Sequence, residues 1–394
     1  MNYKREMDRA LLEEIEHNQT HLSSALVIHR GKEVYYNHFG YADAEKKIPM
    51  QRDTIIRLYS MSKPITAAAV MLLIERGQLD FIDPISKYLP EYAHMTVLDN
   101  NGNETAAGPI TVMNLLTMTS GIPYGENWEG CSLAGRKMQD LFDELLDGLN
   151  KGERLSTREV VRKIAQVPLC CNPGERWVYG LSADLLGAIV EVVTGERYSA
   201  FLQREIFDKL NMPDTGFCVP KEKRDRFAMD YEWKEGTQEL VACDESHLLE
   251  YYGEDIAFES GGAGMVSTID DYSHFARMLA GRGVFGGKRI LSSRSVDFMR
   301  ENHLTQGQMA ALDWESNRGY GYGCLMRVLC NRTKAGTLAP LGEFGWDGWT
   351  GNYVCMDAEN DLVMIYFMQR RGAWGISAIR KMRALTYASL DNWE

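Results

Sequence analysis

Two apolar stretches near the start of the chain are rich in β-branched and aromatic residues. They are Ser23–His29 and Glu33–Phe39, separated by Arg30-Gly31-Lys32. That pattern predicts a hairpin, with glycine supplying the turn. Three further strands are expected late in the chain, at Tyr320–Leu329, Gly351–Asp357 and Leu362–Gln369, the last two split by a polar turn at residues 358–361. Between these ends the apolar spacing is helical. Helices are expected over 63–76, 111–118, 135–150, 156–166, 182–194, 198–210 and 269–281, and a last one over Ile376–Leu390. Met7, Leu11, Leu12 and Ile15 fall on one side of a further helix among charged residues at the N-terminus. Strands at both ends with helices between imply an α/β (α+β) fold. One antiparallel sheet would be built from both termini and flanked by helices, with a mainly helical subdomain inserted. The expected division is an α/β part over about 1–75 and 260–394 and a helical part over about 76–259, all within one catalytic unit.

No repeat, low-complexity run or linker interrupts this pattern. With 394 residues, 45% of them hydrophobic and 25% charged, the chain can bury a core without disulfides or metal. A net charge of -12 argues against nucleic acid as a partner, because phosphate binding needs a clustered positive surface. No run approaches the ~20 apolar residues of a membrane span. The N-terminus lacks the apolar core of a secretory signal, so the expected location is cytoplasmic. Eight cysteines without a CxxC pair read as reduced thiols, and no HExxH or zinc-ligand spacing occurs.

Ser60-Met61-Ser62-Lys63 is the first segment with chemistry in it. Ser–x–x–Lys on a helix places a hydroxyl and an amine on one face, one turn apart. An amine whose pKa is lowered by burial or by neighbouring positive charge can take the serine proton without a histidine. The tetrad alone is weak, since about one match is expected by chance in a chain of this size. Pro64 sharpens it, because proline is tolerated only in the first helical turn. The helix must therefore begin near Ser60, which puts the hydroxyl beside unpaired amides suited to an oxyanion.

Leu58–Thr66 resembles the nucleophile segment of the serine β-lactamase and penicillin-binding-protein superfamily, most closely the class C β-lactamase-like branch and the family VIII carboxylesterases. The similarity continues in order. Leu115–Gly121 resembles the LLTHTSG loop, with Met118 where histidine is usual. Pro173-Gly174-Glu175 and Trp177-Val178-Tyr179 resemble the approach to the second motif. Gly261–Thr268 with Asp271-Tyr272 resembles a glycine-rich turn before a late helix. Gly319–Gly323 resembles a strand entry, and Gly345–Gly348 stands where the third motif belongs.

The resemblance implies that Ser60 is the acylated nucleophile and that Lys63 shuttles its proton and keeps the phenol of Tyr179 acidic. Tyr179 would be the general base or part of a Lys–Tyr network. The amides of Ser60 and Trp349 would form the oxyanion hole, with Gly348 allowing close backbone approach. The second motif reads Tyr179-Gly180-Leu181, with leucine where the lactamases have asparagine. The third reads Trp346-Asp347-Gly348 in place of Lys–Thr–Gly. Leu181, Trp346, Asp347 and Gly348 are thus expected to contact substrate. Asp347 would disfavour anionic substrates, by ~1–4 kcal/mol at about 4 Å depending on the dielectric. Trp346 and Trp349 would form an aromatic wall for an apolar group, although both also fit a sheet core.

The α/β-hydrolase elbow is not met, because Gly180-Leu181-Ser182-Ala183-Asp184 lacks its second glycine. Gly262-Ala263-Gly264 lacks the third glycine of a dinucleotide loop. The expectation is a serine hydrolase of small carboxylic esters, needing no cofactor. A β-lactamase, D-amino-acid peptidase or acyltransferase of the same superfamily is the first alternative, and a non-catalytic sensor on this scaffold the second. Natural substrate and oligomeric state are left open.

Overall fold

The computed structural model describes residues 2–126, 131–243, 252–373 and 375–392. Its centre is an eight-stranded antiparallel sheet. The strands are β1 (Leu22–His29), β2 (Lys32–Asp43), β3 (Ile48–Pro49), β4 (Tyr320–Tyr322), β5 (Arg327–Leu329), β6 (Phe344–Asp347), β7 (Tyr353–Asp357) and β8 (Leu362–Phe367). They lie in the order β4-β5-β6-β7-β8-β1-β2-β3. The two ends of the chain therefore meet at the β8–β1 seam, where Ser24 faces Phe367 and His29 faces Leu362. Both seam strands are buried along their whole length, which is why they read as continuous apolar runs. Arg30 and Gly31 both adopt positive φ, as a two-residue hairpin between right-twisted strands requires.

The longer helices among the described residues are α1 (Tyr3–Glu16), α2 (Ser62–Glu75), α3 (Leu133–Asn150), α4 (Thr157–Ile164), α5 (Ser182–Thr194), α6 (Ile269–Ala280) and α7 (Ser377–Ala388). The first and last, α1 and α7, pack on each other. Twelve consecutive residues of α2, Ser62 to Leu73, are buried, so this helix is the axis on which the other layers are built. Among the described residues no helix is long and apolar enough to cross a membrane.

Two expectations change. Residues 320–329 form a hairpin rather than one strand. Leu325 takes a left-handed φ of 55°, and the Gly323 amide donates to the Met326 carbonyl at 2.8 Å. The helix expected over 198–210 is a composite, α-helical over Tyr198–Leu202, a π turn over Gln203–Phe207 and α-helical again over Asp208–Leu210.

Ile365 faces Leu26 across the seam and is fully buried. Ile365→Ala should cost ~2–5 kcal/mol, because the rigid sheet cannot collapse into the void. A lowered urea midpoint would show it, and an unchanged one would mean that the seam is not a principal source of stability.

Candidate active site

Ser60 lies in a 3-10 turn, Tyr59–Met61, that runs directly into α2. Pro64 follows at the third helical residue, inside the first turn where its missing N–H costs nothing. Ser60 is half-buried, whereas Lys63 is fully buried one turn on. The Lys63 Nζ is 3.0 Å from Ser60 Oγ, 3.0 Å from the Tyr124 hydroxyl and 2.8 Å from the Gly262 carbonyl oxygen. Burial pushes its amine down to about 7, with the negative charges of Asp184 and Asp347 acting in the opposite direction. Near neutral pH this nitrogen is therefore divided between donor and acceptor forms while touching the serine hydroxyl.

Each neighbour of Lys63 is held by a close backbone approach. Gly262 belongs to the turn at 261–264, which is wedged between α2 and α5. A Cβ on Gly261 would lie 2.5 Å from the Ala183 carbonyl oxygen, and one on Gly262 would lie 2.7 Å from Asp184 Oδ2. The Asp184 carboxylate accepts from Ser260 Oγ at 2.5 Å and from the Gly262 amide at 3.3 Å. Burial raises its pKa, and those hydrogen bonds together with the nearby Lys63 charge oppose the rise. Gly180 packs against the loop that carries Tyr124, since a Cβ there would fall 1.9 Å from the Ile122 carbonyl oxygen. One glycine thereby sets the spacing of the two tyrosines, whose ring centres are 5.4 Å apart.

Tyr179 is half-buried among aromatic rings. Trp314 packs edge-on at 4.9 Å, Trp177 stacks at 5.7 Å, and the Trp346 indole N–H donates to the Tyr179 hydroxyl at 3.1 Å. The Lys63 nitrogen sits over the face of the Tyr179 ring, 4.7 Å from its centre. Burial raises the phenol's pKa, and hydrogen bonds with Ser60 and Trp346 offset only part of that rise. The acidified phenol expected from the sequence is thus corrected. Burial, not the position of the cation, holds Tyr179 as a phenol, and the Lys63 nitrogen lies over its ring face. Tyr124, which the sequence reading did not single out, is the phenol bonded to the lysine, and burial raises its pKa as well.

The other expected site residues divide. Trp346 is almost completely buried (1% exposed), so it serves as a donor to Tyr179 and as core, not as a wall open to substrate. Leu181 is fully buried at the start of α5 and offers no surface to a ligand. Asp347 is paired with Arg327 at 3.0 Å, which offsets part of the expected repulsion of anions, while its charge still acts on Lys63. Gly348 approaches the chain itself, since a Cβ there would lie 2.6 Å from the Leu58 carbonyl oxygen. This contact places β6 and the residues after it beside the nucleophile turn. Trp349 is half-buried and meets the Tyr59 ring edge-on at 5.5 Å. Ser62, Ser120 and Ser182 are engaged elsewhere. Ser62 Oγ accepts from the Met265 amide, and Ser120 and Ser182 bond to each other at 2.9 Å.

Comparison with known proteins fits this geometry. The Beta-lactamase family model matches residues 8–386, so the chain belongs to that family. The uncharacterized protein MT1414 of Mycobacterium tuberculosis (strain CDC 1551 / Oshkosh) is 33% identical over 365 residues, covering 87% of this chain and 84% of that protein. Esterase EstB of Burkholderia gladioli is 31% identical over 347 residues, covering 83% and 80%. Among solved structures, EstCE1, described as a hydrolase with promiscuous acyltransferase activity, superposes with a TM-score of 0.80 at 26% identity, covering 98% of each chain. Simvastatin synthase (LovD) of Aspergillus terreus superposes at 0.82 with 22% identity over the full length of both, a likeness of fold alone. The chain is a serine hydrolase of the serine β-lactamase and penicillin-binding-protein superfamily.

Asp184 supplies a testable charge. The groups facing Lys63 are Ser60, Tyr124, Tyr179 and the Gly262 carbonyl, with the carboxylates of Asp184 and Asp347 nearby. Asp184→Asn removes one of the two anions that favour the ammonium. The lysine should then lose its proton at lower pH, and the acid limb of the pH–rate profile should move to lower pH. A limb that stays in place or moves upward would dissociate Asp184 from the state of Lys63.

Proposed function

We propose that the chain hydrolyses small carboxylic esters through an acyl-enzyme on Ser60. The observation that carries this reading is a fully buried lysine amine 3.0 Å from a half-buried serine hydroxyl. Ser60 Oγ adds to the ester carbonyl carbon as its proton passes to the neutral Lys63 amine. The carbonyl oxygen gains the negative charge and is received by the backbone amides of Ser60 and Trp349. On collapse the C–O bond to the alcohol breaks, and the leaving oxygen takes a proton from the Lys63–Tyr124–Tyr179 network. Water then adds to the acyl carbon as Lys63 again receives the proton; the bond from that carbon to Ser60 Oγ breaks, Oγ takes the proton back from Lys63, and the acid leaves. The two phenols, both neutral at rest, act in this scheme as donors that relay the lysine's proton.

Esters are favoured over β-lactams because leucine at 181 and tryptophan at 346 replace the asparagine and lysine of the lactamase motifs, and both side chains are buried. The likeness to EstB, named as an esterase, points the same way. EstCE1's description raises transfer to an alcohol as a competing fate for the acyl group.

Three measurements test the reading. A fluorophosphonate should label the peptide bearing Ser60 in the native chain and not in Ser60→Ala; absence of any adduct would favour a non-catalytic sensor. A short-chain p-nitrophenyl ester should turn over faster than a chromogenic cephalosporin or a D-amino acid amide, and the reverse order would displace the ester reading. Lys63→Ala and Tyr179→Phe should each lower the rate by about a hundredfold or more, the scale of general acid–base steps. Undiminished activity in Tyr179→Phe would leave Tyr124 as the working phenol.

A further inference from the structure

Asp230 is a buried carboxylate (1% exposed) outside the Ser60–Lys63–Tyr179 group. Its Oδ2 accepts from the Tyr59 hydroxyl at 2.5 Å and from Arg371 Nε at 2.8 Å. Its other oxygen has no hydrogen-bond partner among the described residues. Both donors also contact the segments expected to form the oxyanion hole. Tyr59 immediately precedes Ser60 and has a φ of 47°, in the left-handed region that a tyrosine occupies only when its surroundings hold it there. Its ring meets the Trp349 indole edge-on at 5.5 Å, and the Arg371 guanidinium lies 5.7 Å from the centre of the same indole. The main chain beside Asp230 is itself fixed. The Met229 amide donates to the Ala42 carbonyl at 2.8 Å, and Tyr231 exchanges hydrogen bonds with Gln369 and Arg371. The Ala373 amide donates to the Trp349 carbonyl at 3.2 Å, which joins the Arg371 segment to the tryptophan through the backbone as well.

We propose that Asp230 is the positioning residue of the oxyanion hole. Through Tyr59 it sets the amide of Ser60, and through Arg371 it braces the indole of Trp349, so one carboxylate fixes the separation of two amides from distant parts of the chain. This rests on the acyl-enzyme reading above. Asp230 touches neither substrate nor the serine, and acts only on where the two donors point. Such geometry matters most in the transition state, where the carbonyl oxygen moves out of plane and becomes charged.

The decisive comparison is of Asp230→Asn and Tyr59→Phe with wild type, using a p-nitrophenyl ester and phenylboronic acid, which forms a tetrahedral adduct on a serine. Asp230→Asn should lower kcat by about ten- to a hundredfold with KM changed by less than about threefold. Boronate affinity should fall by a factor similar to that in kcat. Tyr59→Phe removes only the phenolic oxygen and keeps the ring on Trp349. It should show the same pattern more weakly, and the double variant should be no worse than Asp230→Asn alone. If Asp230→Asn does not fold because Arg371 loses this carboxylate, Tyr59→Phe carries the test by itself. Unchanged kcat, or a loss in which KM rises while boronate affinity holds, would overturn the role of Asp230. Failure of wild type to be labelled at Ser60 or to cleave any ester would instead overturn the underlying reading, so the two failures are distinct.

Discussion

A lysine taken entirely out of water beside a serine is the constraint on which this molecule turns. An ammonium is costly to bury unless oxygen atoms surround it, and Lys63 has three within about 3 Å, from a serine, a tyrosine and a backbone carbonyl. Because the hydrogen bonds satisfy the cation without supplying a full opposing charge at contact, desolvation wins and the amine becomes a base near neutral pH. The carboxylate of Asp184 bonds the Gly262 amide while the carbonyl of the same residue accepts from the lysine, so the anion is not itself against the ammonium. That separation leaves the amine able both to receive and to return a proton.

Much of the fold exists to bring these groups together. The first strands and the last pair at one seam, which draws the third-motif strand to the nucleophile turn. The inserted helices deliver Tyr179 at the start of α5, and the 121–124 loop delivers Tyr124. Both are set by glycines at points where a methyl group would strike backbone. The site is therefore assembled from at least four separated stretches of sequence, with close backbone approaches at Gly180, Gly261 and Gly348 among the contacts that align them.

The sheet and most helices were legible because their signals are local. Continuous apolar runs marked β1 and β8, and Pro64 after Lys63 placed the start of α2 within two residues. Ser60, Lys63 and Tyr179 could be named because their motif order follows a known family. What escaped detection depends on tertiary placement. Tyr124 and Asp184 carry no motif of their own, and only their convergence on Lys63 and Gly262 gives them chemical meaning. Leu181 and Trp346 occupy motif positions, yet the sequence does not say that they point into the core. Asp347 looked like an exposed repulsive charge because its partner, Arg327, comes from a neighbouring strand 20 residues earlier. The hairpin at 320–329 was read as one strand because Leu325, a residue that rarely takes positive φ, supplies the turn.

The account stands most directly on the protonation of one amine. Carbon-13 or nitrogen-15 NMR of selectively labelled lysine, assigned by comparison with Lys63→Ala, would follow that amine through a pH titration of the resting protein. A midpoint near the 7 set by burial is the predicted result. A midpoint near the ~10.4 of a solvated lysine would contradict it, because Ser60 would then face a cation unable to take its proton.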